Sequence, residues 1–346
     1  MADRKKEVMI GVAACVLGAG AFLSYRRSKM SRRAALQWRA ARLARSFSSA
    51  YRREAEVSIY LALQCGEAMR QCDEGRGASA EWKDSDGIDP VTKTDQDNEA
   101  LVTRGLAERF PSHAVIGEEA TAAAGGAIPS LSATTPTFIV DPIDGTQNFT
   151  HGAPLSCVSI GLCREGEPVL GVVYDPHRDE VFLGARGEGA FCNGRPISCD
   201  ASATSVQRAL VAVDVGYERS SEGIKCMMAA FTALLARRCQ SLRILGSTVL
   251  SLAWVACGRA NCFVIGAHNE GGKPWDYCAA YVIATEAGAV FNRLDNRSYG
   301  PDAASSSKFD IYSKSCVCAG NPELAAELTA VIRPWTVLAI QASLRS

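Results

Sequence analysis

Residues 138–146 read Phe-Ile-Val-Asp-Pro-Ile-Asp-Gly-Thr and carry most of the information about the fold. The three apolar residues predict a buried strand that ends at Asp141. Pro142 stiffens the exit, and a second carboxylate, Asp144, follows before a glycine and a hydroxyl group. Taken alone, such a stretch is most often a simple turn. Two carboxylates on one turn can also converge on a single point, which is the oxygen cluster that a hard cation prefers.

Further acidic residues occupy comparable positions along the chain. Glu118 follows a short predicted strand at 114–116, and Asp95 ends an extended run. Asp276 opens a predicted helix, where an aspartate is otherwise an ordinary N-cap. Each position has a simple structural explanation, but the four segments together indicate a metal centre.

Composition excludes several classes of protein. Of the 346 residues, 47% are hydrophobic and 21% are charged, so the chain can bury a sizeable core and is not disordered as a whole. Residues 1–53 hold 13 of the 37 Lys and Arg but only two acids, which leaves the remaining 293 residues with a net charge of −11. An acidic body is a poor ligand for nucleic acid, and we predict no such partner for it. Nucleic-acid binding by the basic arm alone is an alternative, and it would be salt-sensitive.

The cysteines and histidines do not indicate a disulfide framework or a zinc site. The 14 cysteines are scattered, without a C-x-x-C motif, and most lie in apolar surroundings. They are typical of small buried hydrophobic residues in a reducing compartment. The four histidines are not paired at ligand spacing.

Residues 1–53 form a basic arm with an uncharged stretch at 8–25. As a helix, 18 residues would span about 27 Å, close to the thickness of a bilayer core. The heavier positive flank follows the stretch, which predicts a cytosol-facing protein behind an N-terminal membrane anchor. An organellar transit peptide and a disordered extension are the alternatives. We expect a shortened chain without residues 1–53 to be soluble and active.

The rest of the chain shows regular apolar patterns. Helices are predicted over residues 54–72, 95–110, 224–238, 247–257 and 277–288, and strands at 114–116, 138–140, 157–163, 169–174, 180–183, 210–213 and 262–265. An Asn-Gly pair at 193–194 predicts a hairpin turn. The patterns indicate an α+β metal-binding half, residues 54–200, followed by an α/β half, residues 201–346.

Five segments occur in an order that is specific in combination: VTKTDQ (91–96), FPSHAVIGEE (110–119), DPIDGTQNFTHGAPL (141–155), GAFCNG (189–194) and WDYCAA (275–280). They resemble the inositol monophosphatase family of Mg²⁺-dependent phosphatases over about residues 54–335. The resemblance implies a layered α-β-α-β-α sandwich and a homodimer. It also implies hydrolysis of a phosphorylated polyol, with myo-inositol 1-phosphate as the first expected substrate. The expected cofactor is Mg²⁺, with two or three ions in each site, and the expected inhibitor is Li⁺.

The resemblance further implies roles for individual residues. Glu118, Asp141 and the Ile143 carbonyl would bind a first metal ion, and Asp141, Asp144 and Asp276 a second. Asp95 and Thr146 would orient and deprotonate the attacking water. The substrate contacts would be Asp144, Gly145, Thr146, Gly246, Ser247, Thr248 and Glu270, where Asn269 competes with Glu270 for the last position.

Two other functions stay open. Lys273 and the Pro-Trp-Asp that follows it also resemble histidinol-phosphate phosphatases of the same superfamily, and sugar or nucleotide phosphates are further substrates to test. The alternative from another class is an inactive, membrane-tethered homologue that acts as a binding partner. The presence of every predicted metal-binding acid argues against it.

Overall fold

The structure is a computed structural model, and it describes residues 31–48, 50–73, 80–83, 87–267, 271–294 and 309–335. The described α-helices are α1 Arg32–Ala44, α2 Arg52–Asp73, α3 Lys93–Arg109, α4 Glu118–Ala123, α5 Thr146–Thr150, α6 Ser221–Ala236, α7 Thr248–Ala256, α8 Pro274–Glu286 and α9 Pro322–Ile332. The described strands are β1 Ala80–Trp82, β2 Pro90–Thr92, β3 Ala114–Gly117, β4 Thr137–Asp144, β5 Cys157–Arg164, β6 Glu167–Asp175, β7 Glu180–Ala185, β8 Gly189–Cys192, β9 Arg195–Pro196, β10 Leu210–Val213, β11 Ser241–Ile244, β12 Cys262–Ile265, β13 Val290–Asn292 and β14 Cys316–Ala319.

Two large sheets carry the architecture. The first has seven strands in sequence order, β3 to β9, and only its β3–β4 pair is parallel. The second has the order β11-β10-β12-β14-β13, in which β10 runs parallel to both neighbours and β14 antiparallel to both of its own. At the predicted hairpin between β8 and β9, Asn193 and Gly194 have φ angles of 50° and 78°, as a type I′ turn requires.

Helices cover both faces of each sheet. One apolar cluster joins α1, α2 and α3 to one face of the seven-stranded sheet. A second joins its other face to α7, α8 and the five-stranded sheet, and a third packs α6 and α9 on the far side of that sheet. The result is the predicted α-β-α-β-α sandwich. The predicted boundary at residue 200 falls between the two sheets, but both sheets share the central helices.

The N-terminal arm contributes a helix to the first layer. Ala40, Leu43, Ala44 and Phe47 are each at most 1% exposed and belong to the core under the seven-stranded sheet. The Arg39 guanidinium donates to Asp179 Oδ1 at 2.5 Å. The expectation that residues 1–53 are dispensable does not agree with this packing, because apolar side chains before residue 54 fill the core.

The predicted membrane-anchored localisation needs correction. In the part of the chain that the structure describes, no helix is both long and apolar enough to cross a membrane. The stretch 8–25, on which the prediction rested, lies outside the described residues. At 18 residues with three glycines, it is at the lower limit of what a span requires.

Helix α8 lies unusually close to the seven-stranded sheet because glycines form a row beneath it. Gly161, Gly171 and Gly184 sit side by side on β5, β6 and β7. A methyl group at Gly171 would lie 2.1 Å from the Ala279 carbonyl oxygen, and one at Gly161 would lie 2.8 Å from the Cys278 Cβ. The helix backbone therefore rests on the sheet backbone, which sets the position of the helix N-terminus.

Candidate metal centre

A bulge at the end of β4 turns two carboxylates toward the same side. Asp141 pairs with Ser159 and Asp144 with Cys157, so three steps along β4 match two along β5. On a regular strand, residues three apart face opposite sides of the sheet. The extra residue restores the parity, so that both carboxylates face the central layer. The Ile143 amide donates to Asp141 Oδ1 at 3.0 Å and holds this geometry.

The turn after β4 places a hydroxyl beside a third carboxylate. Gly145 has φ +86°, and a Cβ there would lie 2.7 Å from the Leu155 carbonyl oxygen, so only glycine fits. The Thr146 hydroxyl lies 2.9 Å from the Ile143 carbonyl oxygen and 3.3 Å from Asp95 Oδ1. Asp95 is held in turn at the start of α3, where the Thr92 amide donates to its Oδ2 at 2.8 Å. Asp95 and Thr146, the predicted catalytic pair, are thus in contact.

Helix α8 brings the third acid of the cluster. Asp276 is its third residue, and its Oδ2 accepts from the Lys273 amide at 2.7 Å. The Ser159 hydroxyl donates to the Trp275 carbonyl at 3.2 Å and ties the helix start to β5. Asp276 therefore reaches the ends of β4 and β5 from the central helical layer of the sandwich.

Asp141, Asp144 and Asp276 form a cluster in which one carboxylate oxygen from each lies within 4.8 Å of the others. Burial raises the pKa of Asp141 and Asp144 well above the ordinary value, and the neighbouring carboxylates raise it further. Burial and Glu118 raise the pKa of Asp276 to about 6. Such a cluster of buried acids calls for a compensating cation, and the all-oxygen donor set fits Mg²⁺.

Glu118 opens α4 on the same cleft, with its carboxylate beside a lysine. The Lys83 ammonium lies 2.8 Å from Glu118 Oε1 and 2.8 Å from Glu119 Oε1. Burial lowers the pKa of Lys83, but the two carboxylates outweigh burial and raise it above its ordinary value. Glu118 lies outside the three-aspartate cluster, although it raises the pKa of two of its members.

The three clustered aspartates and Glu118 line a cleft of about 240 Å³. Part of its opposite wall, which the sequence patterns did not indicate, is the loop after β10, with Asp214, Tyr217 and Arg219. Asp214 is half-buried, desolvation raises its pKa above the ordinary value, and it accepts from the Val215 amide at 2.7 Å. The signal was available, because ligands commonly bind at the carboxyl ends of strands in α/β sheets.

Only some of the predicted substrate contacts line the cleft. Gly145, Thr146, Gly246 and Thr248 line the cleft with the acids. Ser247 is 1% exposed and caps α7, and its hydroxyl donates to Asp144, so it holds that carboxylate from behind. The predicted contact Glu270 lies outside the described residues.

A further acid, Glu99 on α3, was missed from the sequence. It is 5% exposed and accepts from the backbone amides of Glu119 and Ala120, each at 2.7 Å. Burial raises its pKa, while these two bonds lower it. Its position four residues after Asp95 on one helix puts both side chains on the same face, which was the available signal.

The layered fold and the buried carboxylate cluster define the class of metal-dependent phosphatases, and solved structures agree with this assignment. The extragenic suppressor protein suhB from Bartonella henselae superimposes with a TM-score of 0.67 at 26% identity, over 80% of this chain and 96% of the other. The inositol monophosphatase from Anabaena (Nostoc) sp. PCC 7120 gives 0.64 at 27% identity, over 80% and 94%.

Sequence comparison gives the family. The profile of the inositol monophosphatase family matches residues 50–334. Inositol monophosphatase 1 of Solanum lycopersicum is 40% identical over 269 residues, which are 78% of this chain and 90% of that protein. Inositol monophosphatase 2 of Rattus norvegicus is 35% identical over 271 residues, 78% and 86% of the two chains. The chain belongs to the inositol monophosphatase family and is a hydrolase of phosphate monoesters.

Proposed function

We propose that this chain hydrolyses myo-inositol 1-phosphate to inositol and phosphate, with Mg²⁺ as its resident metal. The observation that carries the proposal is the cluster of Asp141, Asp144 and Asp276, with oxygens within 4.8 Å, in a cleft that also contains Thr146. The proposal agrees with relatives from plants and mammals that bear the name inositol monophosphatase. At about 240 Å³, the cleft suits a small phosphorylated polyol.

The acids of the cleft divide into two sets of ligands. In our proposal Glu118, Asp141 and the Ile143 carbonyl hold one Mg²⁺ ion, and Asp141, Asp144 and Asp276 hold another. When bound, Mg²⁺ neutralises the charge of the phosphate monoester and stabilises the leaving oxygen. From the resemblance to the family, we place the inhibitory Li⁺ in the second set, with Asp144 and Asp276.

Asp95 and Thr146 supply the proton chemistry. The Thr146 hydroxyl has one proton and two acceptors in reach, Ile143 at 2.9 Å and Asp95 at 3.3 Å. When it donates to Asp95, its lone pairs are free to accept from the attacking water and orient it. Burial raises the pKa of Asp95 to about 6, so this carboxylate is ionised at neutral pH but a better base than an exposed aspartate.

The substrate is held by groups around the turn. We propose that the backbone amides of Gly145 and Thr146, two residues that line the cleft, donate to phosphate oxygens. In our proposal Asp144, Gly246 and Thr248 contact the polyol side, and Ser247 fixes Asp144. We keep Glu270 as the proposed further hydroxyl contact, with Asn269 as its alternative; both lie outside the described residues. Binding by several hydroxyl contacts would select a polyol over an apolar alcohol.

We infer that two copies of the chain form a homodimer. Ile224, Met228 and Leu235 lie on one stripe of α6 and are 40%, 48% and 57% exposed. Ile244, 54% exposed, lies on β11, the edge strand of the second sheet. Exposed apolar side chains and an open sheet edge are each typical of an interface between protein chains. Light scattering after size-exclusion chromatography should give twice the chain mass.

A substrate panel tests the activity. Phosphate release by the full chain is measured with myo-inositol 1-phosphate, histidinol phosphate, a hexose phosphate and 3′-phosphoadenosine 5′-phosphate, with Mg²⁺, with Mg²⁺ and Li⁺, and with EDTA. We expect the highest kcat/KM for inositol 1-phosphate, loss of activity in EDTA and inhibition by Li⁺. Asp276→Asn should lose most activity, whereas Asp97→Asn, at an exposed site on α3, should not.

Histidinol phosphate is the second candidate substrate, because the Lys-Pro-Trp-Asp segment at 273–276 resembles histidinol-phosphate phosphatases and Lys273 lines the cleft. The highest kcat/KM on that substrate would replace our proposal. If the chain released no phosphate from any substrate while it still bound Mg²⁺, the result would favour the alternative that it is an inactive homologue.

A further inference from the structure

Helix α4, which begins with Glu118, has no cap of its own. The first amides of a helix lack partners within it, and a side chain just before the helix normally supplies them. Here that position is Gly117, which has no side chain to offer. Glu99, 18 positions earlier on α3, takes over: its two oxygens accept from the amides of Glu119 and Ala120, at 2.7 Å each.

The glycine makes room for this long-range cap. A Cβ at Gly117 would lie 2.4 Å from the Glu99 carboxyl carbon and 2.5 Å from each of its oxygens. Real Cβ contacts of that length do not occur, so the Glu99 carboxylate occupies the space that any other side chain at residue 117 would take. The Thr121 hydroxyl donates to the Gly117 carbonyl at 2.6 Å and closes the turn from the other side.

The cap acts on the residue that faces the cleft. Glu118 directly precedes the two amides that Glu99 holds, so its backbone is fixed by that carboxylate. Its side chain is held at the far end by Lys83, at 2.8 Å. Without Glu99, the first turn of a six-residue helix would have to find other partners for two amides.

We propose that Glu99 is a positioning residue of the metal centre: by holding the first turn of α4, it keeps the Glu118 carboxylate directed at the metal. The inference rests on the proposed function, because it requires Glu118 to bind Mg²⁺. Partners of metal ligands commonly affect metal affinity by about 10–100-fold.

Calorimetric titration of the metal-free full chain with Mg²⁺ tests this directly. Glu99→Gln keeps the size of the side chain but loses its charge and points an amide NH₂ at a backbone N–H. The Kd for Mg²⁺ should rise about tenfold. Glu108→Gln is the same substitution at an exposed position of the same helix and should leave the Kd unchanged.

A second pair of variants tests whether the position of the Glu99 carboxylate matters in addition to its charge. Gly117→Ala displaces the Glu99 carboxylate without removing it, and Glu99→Asp keeps the charge but is one methylene too short to hold both amides. Both variants should raise the Kd for Mg²⁺, as Glu99→Gln does. At saturating Mg²⁺ all three should retain the wild-type KM for inositol 1-phosphate. These variants also decide the question if Glu99→Gln does not fold.

The outcomes separate the inference from the function on which it rests. If the wild type binds no Mg²⁺, or if Glu118→Gln leaves the Kd unchanged, the proposed metal assignment fails. If Glu118→Gln weakens binding while the Glu99 and Gly117 variants lower only the melting temperature, the positioning role is wrong and Glu99 merely stabilises the fold.

Discussion

Helix α1 lies before the region that matches the family profile, residues 50–334, yet its removal should destabilise the fold strongly. The side chains at stake are Leu43 and Phe47, each 1% exposed, with the Phe47 ring 5.8 Å from that of Phe191. Truncation of buried leucine or phenylalanine to alanine costs about 2–5 kcal/mol. A domain of this class has about 5–15 kcal/mol of stability in total. Phe47→Ala alone should therefore consume a large share of it.

Thermal unfolding of the full chain is the assay. At about 2–4 °C per kcal/mol, Phe47→Ala should lower the Tm by about 6 °C or more. Gln37→Ala, at an exposed position of α1, is the control and should change the Tm little. A shortened chain that begins at residue 54 loses all of α1 and should lose more stability than Phe47→Ala does. If that shortened chain has the same Tm as the full chain, the packing of α1 against the sheet is wrong.

Three further predictions concern the site and its support. Gly171→Ala places a methyl group 2.1 Å from the Ala279 carbonyl and should cost at least about 1–3 kcal/mol of unfolding free energy; an unchanged Tm would refute the close packing of α8. Thr146→Ala should lower kcat about 100-fold with little change in the Kd for Mg²⁺, and the opposite pattern would exclude a role in orienting water. Because burial raises the pKa of Asp95 to about 6, kcat/KM should fall below pH 6 as the base is protonated. The pKa of Asp95 in the folded state lies above its ordinary value of 3.8. Ionisation of Asp95 should therefore lower the stability of the metal-free fold as pH rises from about 4 to 6. Unfolding curves in EDTA across this range test this, and unchanged stability would refute it.

Much of the fold follows from local pattern. Continuous apolar runs predicted β5, β6 and β12 to within about two residues, because strands buried on both faces give short apolar runs that are too brief for a helix. Helix α1 was missed because its arginines dominate the local composition, whereas only a few side chains of that segment enter the core. Strand β11 was missed because half of it is exposed.

The site was predictable where a motif is local and unpredictable where it depends on distance. Asp141 and Asp144 share one turn, so their convergence could be expected from spacing. The bulge that produces it could not, because register depends on the partner strand. Glu99 acts on amides about 20 residues away, and nothing in the local sequence marks it as a cap for another helix.

The glycine row has a consequence for how this enzyme can change. Since main chain touches main chain beneath α8, the gap between Asp276 and the β4 carboxylates is set by the thickness of the backbone and not by any side chain. The loop with Tyr217 and the segment with Lys273 lie outside that contact. The spacing of the metal-binding acids is therefore fixed by the backbone, whereas the cleft segments with Tyr217 and Lys273 can vary independently of it. Substitutions in those two segments alone should be enough to change the substrate.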